Sequence, residues 1–159
     1  MNLSPQDTKM FYINSLVPEL ICSDFEKSLR FYVDCIGFQV AQRRGHDPHV
    51  YIAFHGAQLM LVRRDGSWES GSMELPYGRG VNFQFMVDDV EGVYGRVIEQ
   101  GHKPFLPLES VWYWRTDRMD QRMQFAVLDP DGYFLRFAQV IRHRPVSEED
   151  IARLDNEWK

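Results

Sequence analysis

The chain has 159 residues with a formal net charge of −5, and 14% of the residues are aromatic. A chain of this length can bury roughly 70% of the surface that its unfolded form exposes, which suits one domain or two small fused modules. The negative charge comes without any basic run, which argues against nucleic-acid binding, and no apolar run approaches the ~20 residues of a membrane span.

Cysteine usage and the N-terminal segment both indicate a cytoplasmic protein. Cys22 and Cys35 form no Cys-x-x-Cys motif, so we expect reduced thiols. Residues 1–14 lack the apolar stretch of a signal peptide, and we expect a loose arm with a first anchor at residues 11–13.

The first half of the chain predicts one strand, one helix and three further strands. Ser23 and Asp24 offer N-cap chemistry, apolar residues recur at helical spacing up to Asp34, and Gly37 ends the pattern. The predicted strands are residues 16–22, 38–43, 50–55 and 58–63. Residues 64–79 are rich in Asp, Gly, Ser and Pro and predict a linker or lid loop.

The same order of elements starts again after this loop. Asp88 and Asp89 predict the start of a helix that runs to about Gln100 and ends at Gly101. The predicted strands are residues 81–87, 103–106, 123–128 and 133–140. Asp129-Pro130-Asp131-Gly132 predicts the turn between the last two, because proline presets φ and glycine accepts a positive φ.

These elements form an internal repeat. It predicts an α+β fold of two βαβββ modules, residues 15–64 and 80–141, whose curved half-sheets enclose a concave cavity. The N-terminal arm covers residues 1–14 and the tail residues 142–159. In the tail, Ser147 to Asp150 suggest a capping box, and Ile151, Leu154 and Trp158 would dock on the body or on a second subunit.

The repeat and its motifs resemble the vicinal oxygen chelate superfamily, which includes glyoxalase I, extradiol dioxygenases and the bleomycin-resistance proteins. The resemblance spans residues 14–141. The motifs that carry it are the segment Ser23-Asp24-Phe25-Glu26 through Tyr32 with Gly37-Phe38, the segments Gln58 to Leu61 and Val87 to Val90, and the turn Leu128-Asp129-Pro130-Asp131-Gly132.

The resemblance also implies where metal ligands would stand in the catalytic members. Those positions fall on Val17, Val62, Asn82 and Arg136. Valine has no donor atom, asparagine is a weak neutral donor, and a guanidinium repels a divalent cation, so we expect no metal and no other cofactor. The alternative is a relocated triad of Glu19 with two of the five histidines.

Polar residues on the strand faces opposite the apolar sets are the candidate ligand-binding residues. They are Glu19, Asn82, Gln84 and Arg136. The alternative is an internal Glu19–Arg136 salt bridge that closes the cavity. Trp68, in the first long loop, and Trp112 and Trp114, in a predicted loop at residues 111–115, would stack on a ligand, or else pack under their loops or at a dimer interface.

Among the family's branches, the bleomycin-resistance proteins resemble this chain most closely. The resemblance implies a metal-free homodimer that traps a cationic or aromatic small molecule, such as a bleomycin-like glycopeptide, in a cavity at the dimer interface. It favours a binding protein over an enzyme. The alternatives are a divergent metalloenzyme with relocated ligands, an acid–base catalyst that uses Glu19, and an interaction module whose cavity is filled by its own side chains.

Overall fold

The computed structural model describes residues 12–157, with side chains from 12 to 153. The chain divides into two compact units, of which the first ends at Met73 and the second begins at Glu74. Each unit contains a strand, a helix and three more strands, so the predicted α+β repeat is confirmed. None of the helices that the described residues form has the length and apolarity needed to span a membrane.

Unit 1 is a four-stranded sheet with one helix. Its elements are β1 (Glu19–Cys22), α1 (Phe25–Arg30) with a π-helical continuation (Phe31–Ile36), β2 (Gln39–Arg43), β3 (His49–Phe54) and β4 (Ala57–Arg63). The strand order is β1-β4-β3-β2, in which β1 lies parallel to β4 and the other pairs are antiparallel.

Local chemistry sets the limits of the first helix. The side chain of Asp24 accepts a hydrogen bond from the Lys27 amide at 3.0 Å, which satisfies one of the free donors of the first turn. Gly37 ends the helical segment with φ of 103°, a conformation that favours glycine. Both predictions are confirmed, and both cysteines of this unit are buried and form no disulfide.

The predicted start of β1 was three residues too early. Leu16, the first residue of the predicted strand, is 77% exposed. The strand begins only at Glu19, where pairing with Met60 of β4 starts. The described part of the N-terminal arm is held by polar contacts: the Asn14 amide donates to Gln58, and Gln58 donates to the Tyr12 carbonyl. Phe11 lies outside the described residues.

Unit 2 repeats the same topology with longer strands. Its elements are β5 (Asn82–Met86), α2 (Val90–Glu99), β6 (Leu106–Trp114), β7 (Arg118–Leu128), β8 (Phe134–Pro145) and α3 (Glu148–Glu157). The strand order is β5-β8-β7-β6, with β5 parallel to β8. Asp89 caps α2 by accepting from the Gly92 amide at 2.9 Å.

Two predictions for unit 2 were wrong. The strand predicted at residues 103–106 starts only at Leu106, and the tryptophan-rich segment predicted as a loop is strand β6, which pairs with β7. The sequence did not reveal this hairpin because Val111 to Trp114 are all apolar or aromatic, so apolar and polar residues do not alternate along this part of β6.

The turn between β7 and β8 is built as its sequence predicts. One carboxylate oxygen of Asp129 accepts hydrogen bonds from the amides of Asp131 at 2.9 Å and Tyr133 at 2.8 Å. Gly132 has φ of 89°. The turn therefore satisfies its own backbone donors, as Asx turns do.

The predicted capping box at the start of α3 is also present. Asp150 accepts from the amide and hydroxyl of Ser147, at 2.9 and 2.8 Å, and the Asp150 amide donates back to that hydroxyl at 3.3 Å. Ile151 is 46% exposed, so the described residues do not cover it. The side chain of Leu154 and all of Trp158 lie outside the described residues.

Candidate functional site

Each sheet has one face toward its helix and one opposite face, and the opposite faces carry the polar residues. In unit 1, Leu20 and Leu61 are paired and buried on the helix side, while Glu19 lies on the other side. In unit 2, Phe85 and Phe137 are buried on the helix side, stacked with ring centroids 5.2 Å apart. We call the two opposite sides the open face of unit 1 and the open face of unit 2.

The open face of unit 1 contains a cavity of about 440 Å³, a size that suits a small ligand. Its lining residues are Glu19, Ile21, Arg44, Asp47, Pro48, His49, Val62, Arg63, Arg64, Asp65, Ser67 and Trp68. Two of the predicted site residues, Glu19 and Trp68, are thus brought together in one cavity.

His49 is the main residue that sequence reasoning missed. It is the first residue of β3 and lies opposite Val62 of β4, so it shares the open face with Glu19. Its Nε2 lies 3.6 Å from Oε2 of Glu19, and its side chain is only 10% exposed. The sequence offered His49 only as one of five histidines that could join Glu19, and the strand register is what places it in the cavity.

The second ring nitrogen of His49 has no hydrogen-bond partner within the described part of the chain. This Nδ1 atom is buried. Buried polar atoms are normally satisfied, and exceptions call for an explanation such as a bound group. Together with the Glu19 carboxylate, the imidazole gives the cavity one acid–base pair.

Several charged residues line the cavity, and two of them, Arg64 and Asp65, form hydrogen bonds with neighbouring residues. Arg64 donates through Nε and Nη2 to the two oxygens of Glu69, at 2.8 and 2.9 Å, and this pairing lowers the pKa of Glu69. The Ser67 amide donates to Asp65 at 2.8 Å and lowers the pKa of that carboxyl. Arg44 and Arg63 also line the cavity and bring two further positive charges to it.

The indole ring of Trp68 is exposed to solvent at the edge of the cavity. The residue is 90% exposed and has φ of 61°, an uncommon conformation for a residue with a side chain. Such backbone outliers cluster at ligand-binding segments, where the surrounding structure holds them. An exposed indole beside a cavity offers a flat apolar surface to a ring-bearing ligand.

On the open face of unit 2, the structure brings Gln84 and Arg136 together. They face each other across the parallel pair β5–β8, and Nη2 of Arg136 donates to Oε1 of Gln84. The Nε atom of Arg136 is buried and has no hydrogen-bond partner in the described chain. Asn82 begins β5, and its neighbour across the sheet is Phe134.

A polar network that the sequence did not predict continues across this open face. Gln124, only 4% exposed, donates to Glu109 at 2.9 Å and accepts from the Tyr113 hydroxyl at 3.0 Å. The Arg122 guanidinium lies 5.4 Å from the centroid of the Tyr113 ring, and its buried Nε finds no hydrogen-bond acceptor among the described residues. A buried and connected network of this kind fixes its side chains in place.

The two tryptophans of β6 are separated from this network. Trp112 pairs with Gln121 and alternates with Tyr113, so it lies on the opposite side of the sheet from Gln124 and Arg136. Arg142 and Arg144 lie over its ring, at 5.4 and 4.9 Å from the centroid. Trp114 is 39% exposed at the end of the same strand. A ligand-binding role for these two residues stays a prediction.

The sequence left open a salt bridge between Glu19 and Arg136. Each of the two side chains has a partner inside its own unit: Glu19 has His49, and Arg136 has Gln84. The Gln84 side chain is neutral, so it orients the Arg136 guanidinium by a hydrogen bond and does not compensate its charge.

The residues present do not fit a divalent metal ion. Val62 and Arg136 lie on the open faces without donor atoms for a cation, and Glu19 with His49 supplies two donors at most. Among the side chains that the structure describes, residues 12–153, no three His, Cys, Asp or Glu are placed to hold a metal ion together.

Comparison with known proteins identifies the family. A model of the glyoxalase/bleomycin resistance protein/dioxygenase superfamily matches residues 12–137. The chain belongs to this superfamily. The α+β repeat described above is therefore its vicinal oxygen chelate fold, as the sequence predicted.

Relatives in this superfamily include proteins named for bleomycin resistance. The bleomycin resistance protein of Geobacillus stearothermophilus is 25% identical over 136 residues, which cover 79% of this chain and 96% of the relative. The solved structure of a superfamily member from Vibrio splendidus 12B01 is 40% identical over 77% of this chain and 96% of its own, with a TM-score of 0.37. TioX from Micromonospora sp. ML1 is 20% identical over 80% of this chain and 100% of its own, with a TM-score of 0.59, and supports the fold.

Proposed function

We propose that this chain is a small-molecule binding protein of the bleomycin-resistance type, which sequesters a cationic or aromatic compound without metal chemistry. The observation that carries the proposal is the unit 1 cavity, where the Glu19 carboxylate, the His49 imidazole and the open Trp68 ring line one space of about 440 Å³. Similarity to relatives named for bleomycin resistance also supports this function.

The lining matches the chemistry of such a ligand. The Trp68 ring provides a stacking surface for an aromatic group, and Glu19 provides a negative charge for a cationic group. Arg44 and Arg63 supply donors for the carbonyl and hydroxyl oxygens of a glycopeptide.

We further propose the domain that carries this function, its cellular location and its oligomeric state. The binding domain is residues 15–141, the protein is cytoplasmic, and it acts as a homodimer whose interface completes the ligand cavity. Cells that contain it would tolerate the sequestered drug. Gln84, Arg136 and Asn82, on the polar open face of unit 2, stay candidate ligand-binding residues in this proposal.

Fluorescence titration with metal-free bleomycin tests the proposal. We expect a saturable change in tryptophan emission for the wild-type protein, and a smaller change with weaker binding for Trp68→Phe. Trp112→Phe is the comparison variant: Arg142 and Arg144 lie over this ring, and an equal loss of affinity would show that Trp112 contributes to binding as well. The proposal is wrong if the wild type shows no saturable response to bleomycin or to a panel of planar cationic drugs.

One observation favours a second candidate, an enzyme that uses acid–base chemistry. The 3.6 Å approach of His49 to Glu19 in a cavity places two proton-transfer groups side by side. In this function His49 would accept a proton from a substrate, and Glu19 would hold the imidazolium by its charge.

Metal analysis and mutation separate the two functions. The binding-protein proposal predicts that protein purified without chelators carries no stoichiometric divalent ion, and that Glu19→Gln weakens binding of a cationic ligand. A stoichiometric ion that disappears in both Glu19→Gln and His49→Gln would establish a relocated metal site and overturn the metal-free proposal.

A further inference from the structure

Unit 2 contains a cavity of its own, with a chemistry different from that of unit 1. Its volume is about 380 Å³. It lies where the segment before β5 passes the turn between β7 and β8. The lining residues are Pro76, Tyr77, Gly78, Arg79, Gly80, Val81, Asn82, Phe105, Leu128, Gly132 and Phe134.

Aromatic rings form the walls of this cavity. Phe105 meets the ring of Phe134 edge-on, with centroids 5.1 Å apart, and Tyr77 meets Tyr133 in the same way at 6.1 Å. Phe105 is nevertheless 64% exposed. A large apolar ring left open at the mouth of a cavity marks a surface that a ligand would cover.

The floor of the cavity is rigidly built. The Tyr77 amide donates to the Asp131 carbonyl at 2.7 Å. Gly132 packs so closely on Pro76 that a Cβ at this position would lie 2.7 Å from the Pro76 Cα atom. This contact fixes the segment before β5 against the turn, so the cavity is formed before any ligand arrives. Such preorganisation reduces the entropic cost of binding.

The lining contains one charged residue, and that residue is a cation. The Arg79 guanidinium is held in place by backbone carbonyls: Nε donates to Pro76 at 3.2 Å, and Nη2 donates to Leu75 at 2.8 Å. Asn82, exposed at the same cavity, offers amide donors. No acidic residue lines the cavity, so its electrostatics favour an anion and disfavour a cation.

We propose that this cavity binds an aromatic monocarboxylate of one or two rings, with the rings between Phe105, Phe134 and Tyr77 and the carboxylate toward Arg79 and Asn82. The site goes beyond the proposed function: its ligand has the opposite charge, and Asn82 is the one candidate residue of that function that lines it. A volume of about 380 Å³ lies in the range of small-molecule sites.

Three probes with the same ring and different charges test the proposal: indole-3-acetate, indole-3-acetamide and tryptamine. They would be titrated into the uniformly ¹⁵N-labelled full chain and followed by amide chemical shifts. We expect saturable shifts at Gly78, Gly80, Asn82 and Phe134. We expect the acid to bind about fivefold more tightly than the amide, the upper range for a partly exposed charge contact, and the amine to bind most weakly.

Two variants identify the groups responsible. Arg79→Gln would remove the preference for the acid and bring its affinity close to that of the amide, while Phe105→Ala would weaken all three probes. Ile98→Ala is the matched control, because Ile98 is also an exposed apolar residue of unit 2, at 45%, but does not line the cavity. It should leave all three affinities unchanged.

Several outcomes would overturn the proposal. They are an absence of saturable shifts in this segment, equal binding of the acid and the amine, or an acid preference that survives Arg79→Gln. A concentration-dependent oligomer that Phe105→Ala dissociates would also overturn it, because a second copy would then cover the cavity. Glu19→Gln should not alter the binding of indole-3-acetate, so failure of this site is distinguishable from failure of the proposed function.

Discussion

The two units use the same fold to hold different chemistry, and one pair of positions shows this directly. Glu19 lies five residues before Asp24, which caps α1, and Gln84 lies five residues before Asp89, which caps α2. The strand partner of Glu19 is Met60, whereas the partner of Gln84 is Arg136. A carboxylate next to a thioether and an imidazole in unit 1 thus corresponds to an amide held by a guanidinium in unit 2.

The comparison teaches that the helix side and the open face of each sheet follow different constraints. On the helix side the corresponding residues, Leu20 and Phe85, are both buried and apolar, because the core of each unit requires it. On the open face the residue type changes freely, because the fold does not depend on it. The open-face residues are therefore where the two units differ, and the proposed function uses them.

The largest expected effect concerns the turns of the two corresponding hairpins. Gly56, between β3 and β4, and Gly132, between β7 and β8, both have positive φ, at 81° and 89°. A Cβ at Gly132 would press on Pro76, whereas a Cβ at Gly56 meets no atom within 4 Å. Gly132→Ala should lower the free energy of unfolding by about 3–4 kcal/mol, from backbone strain and overpacking, and Gly56→Ala by about 1–2 kcal/mol from strain alone.

Urea denaturation of both variants measures this difference. Equal losses at the two positions would show that the contact between Gly132 and Pro76 does not contribute to stability. The inference that this contact makes the floor of the unit 2 cavity rigid would then be wrong.

The fold was predictable because its signals are local. Asp24 and Asp89 as caps, Gly37 as a stop and the turn at Asp129 to Gly132 each act through neighbouring backbone atoms. The β6–β7 hairpin was missed because its stability depends on pairing between strands, such as Trp112 with Gln121, and not on an alternating pattern.

The site was only partly predictable, for a related reason. Glu19, Gln84 and Arg136 could be placed by alternation along their own strands. His49 and Gln124 could not, because their roles depend on the register between strands, which sequence alone does not supply. Trp112 was predicted in a loop, but it lies in β6, on the side of the sheet opposite Gln124.

A second comparison concerns the two helix caps, where we expect equal effects. Asp24 accepts from the Lys27 amide at 3.0 Å, and Asp89 accepts from the Gly92 amide at 2.9 Å. Asp24→Ala and Asp89→Ala should each reduce the free energy of unfolding by about 1 kcal/mol, the usual cost of losing a cap. Thermal unfolding followed by circular dichroism would check this. A loss at one cap and none at the other would show that the two helices do not contribute alike.

The smallest effect concerns an arginine–carboxylate pair whose arginine lies at the end of the last strand of each unit. Arg64 holds Glu69, and Arg144 holds Asp150 with contacts of 2.6 and 2.9 Å. The arginine lowers the pKa of the carboxyl group in both pairs.

The lowered pKa determines how α3 responds to acid. A carboxyl whose pKa is lower in the folded state contributes its full stabilisation above the ordinary value, which is 3.8 for Asp150, and loses it as the pH falls further. The Ser147 amide resonance should therefore stay constant from pH 7 to about pH 4 and shift only at lower pH, whereas Asp150→Asn should shift it already at pH 7. A midpoint at or above the ordinary value would contradict the pairing.

The most direct test of the account is an amide chemical-shift titration of the full chain with metal-free bleomycin. We predict saturable chemical-shift changes at the amides of Glu19, His49 and Trp68, and weaker binding in Glu19→Gln. The chemical shifts of the Gly78 and Gly80 amides in the unit 2 cavity should not change. An absence of saturable shifts, or shifts that leave the unit 1 cavity unaffected, would contradict the claim that the open face of unit 1 binds such a ligand.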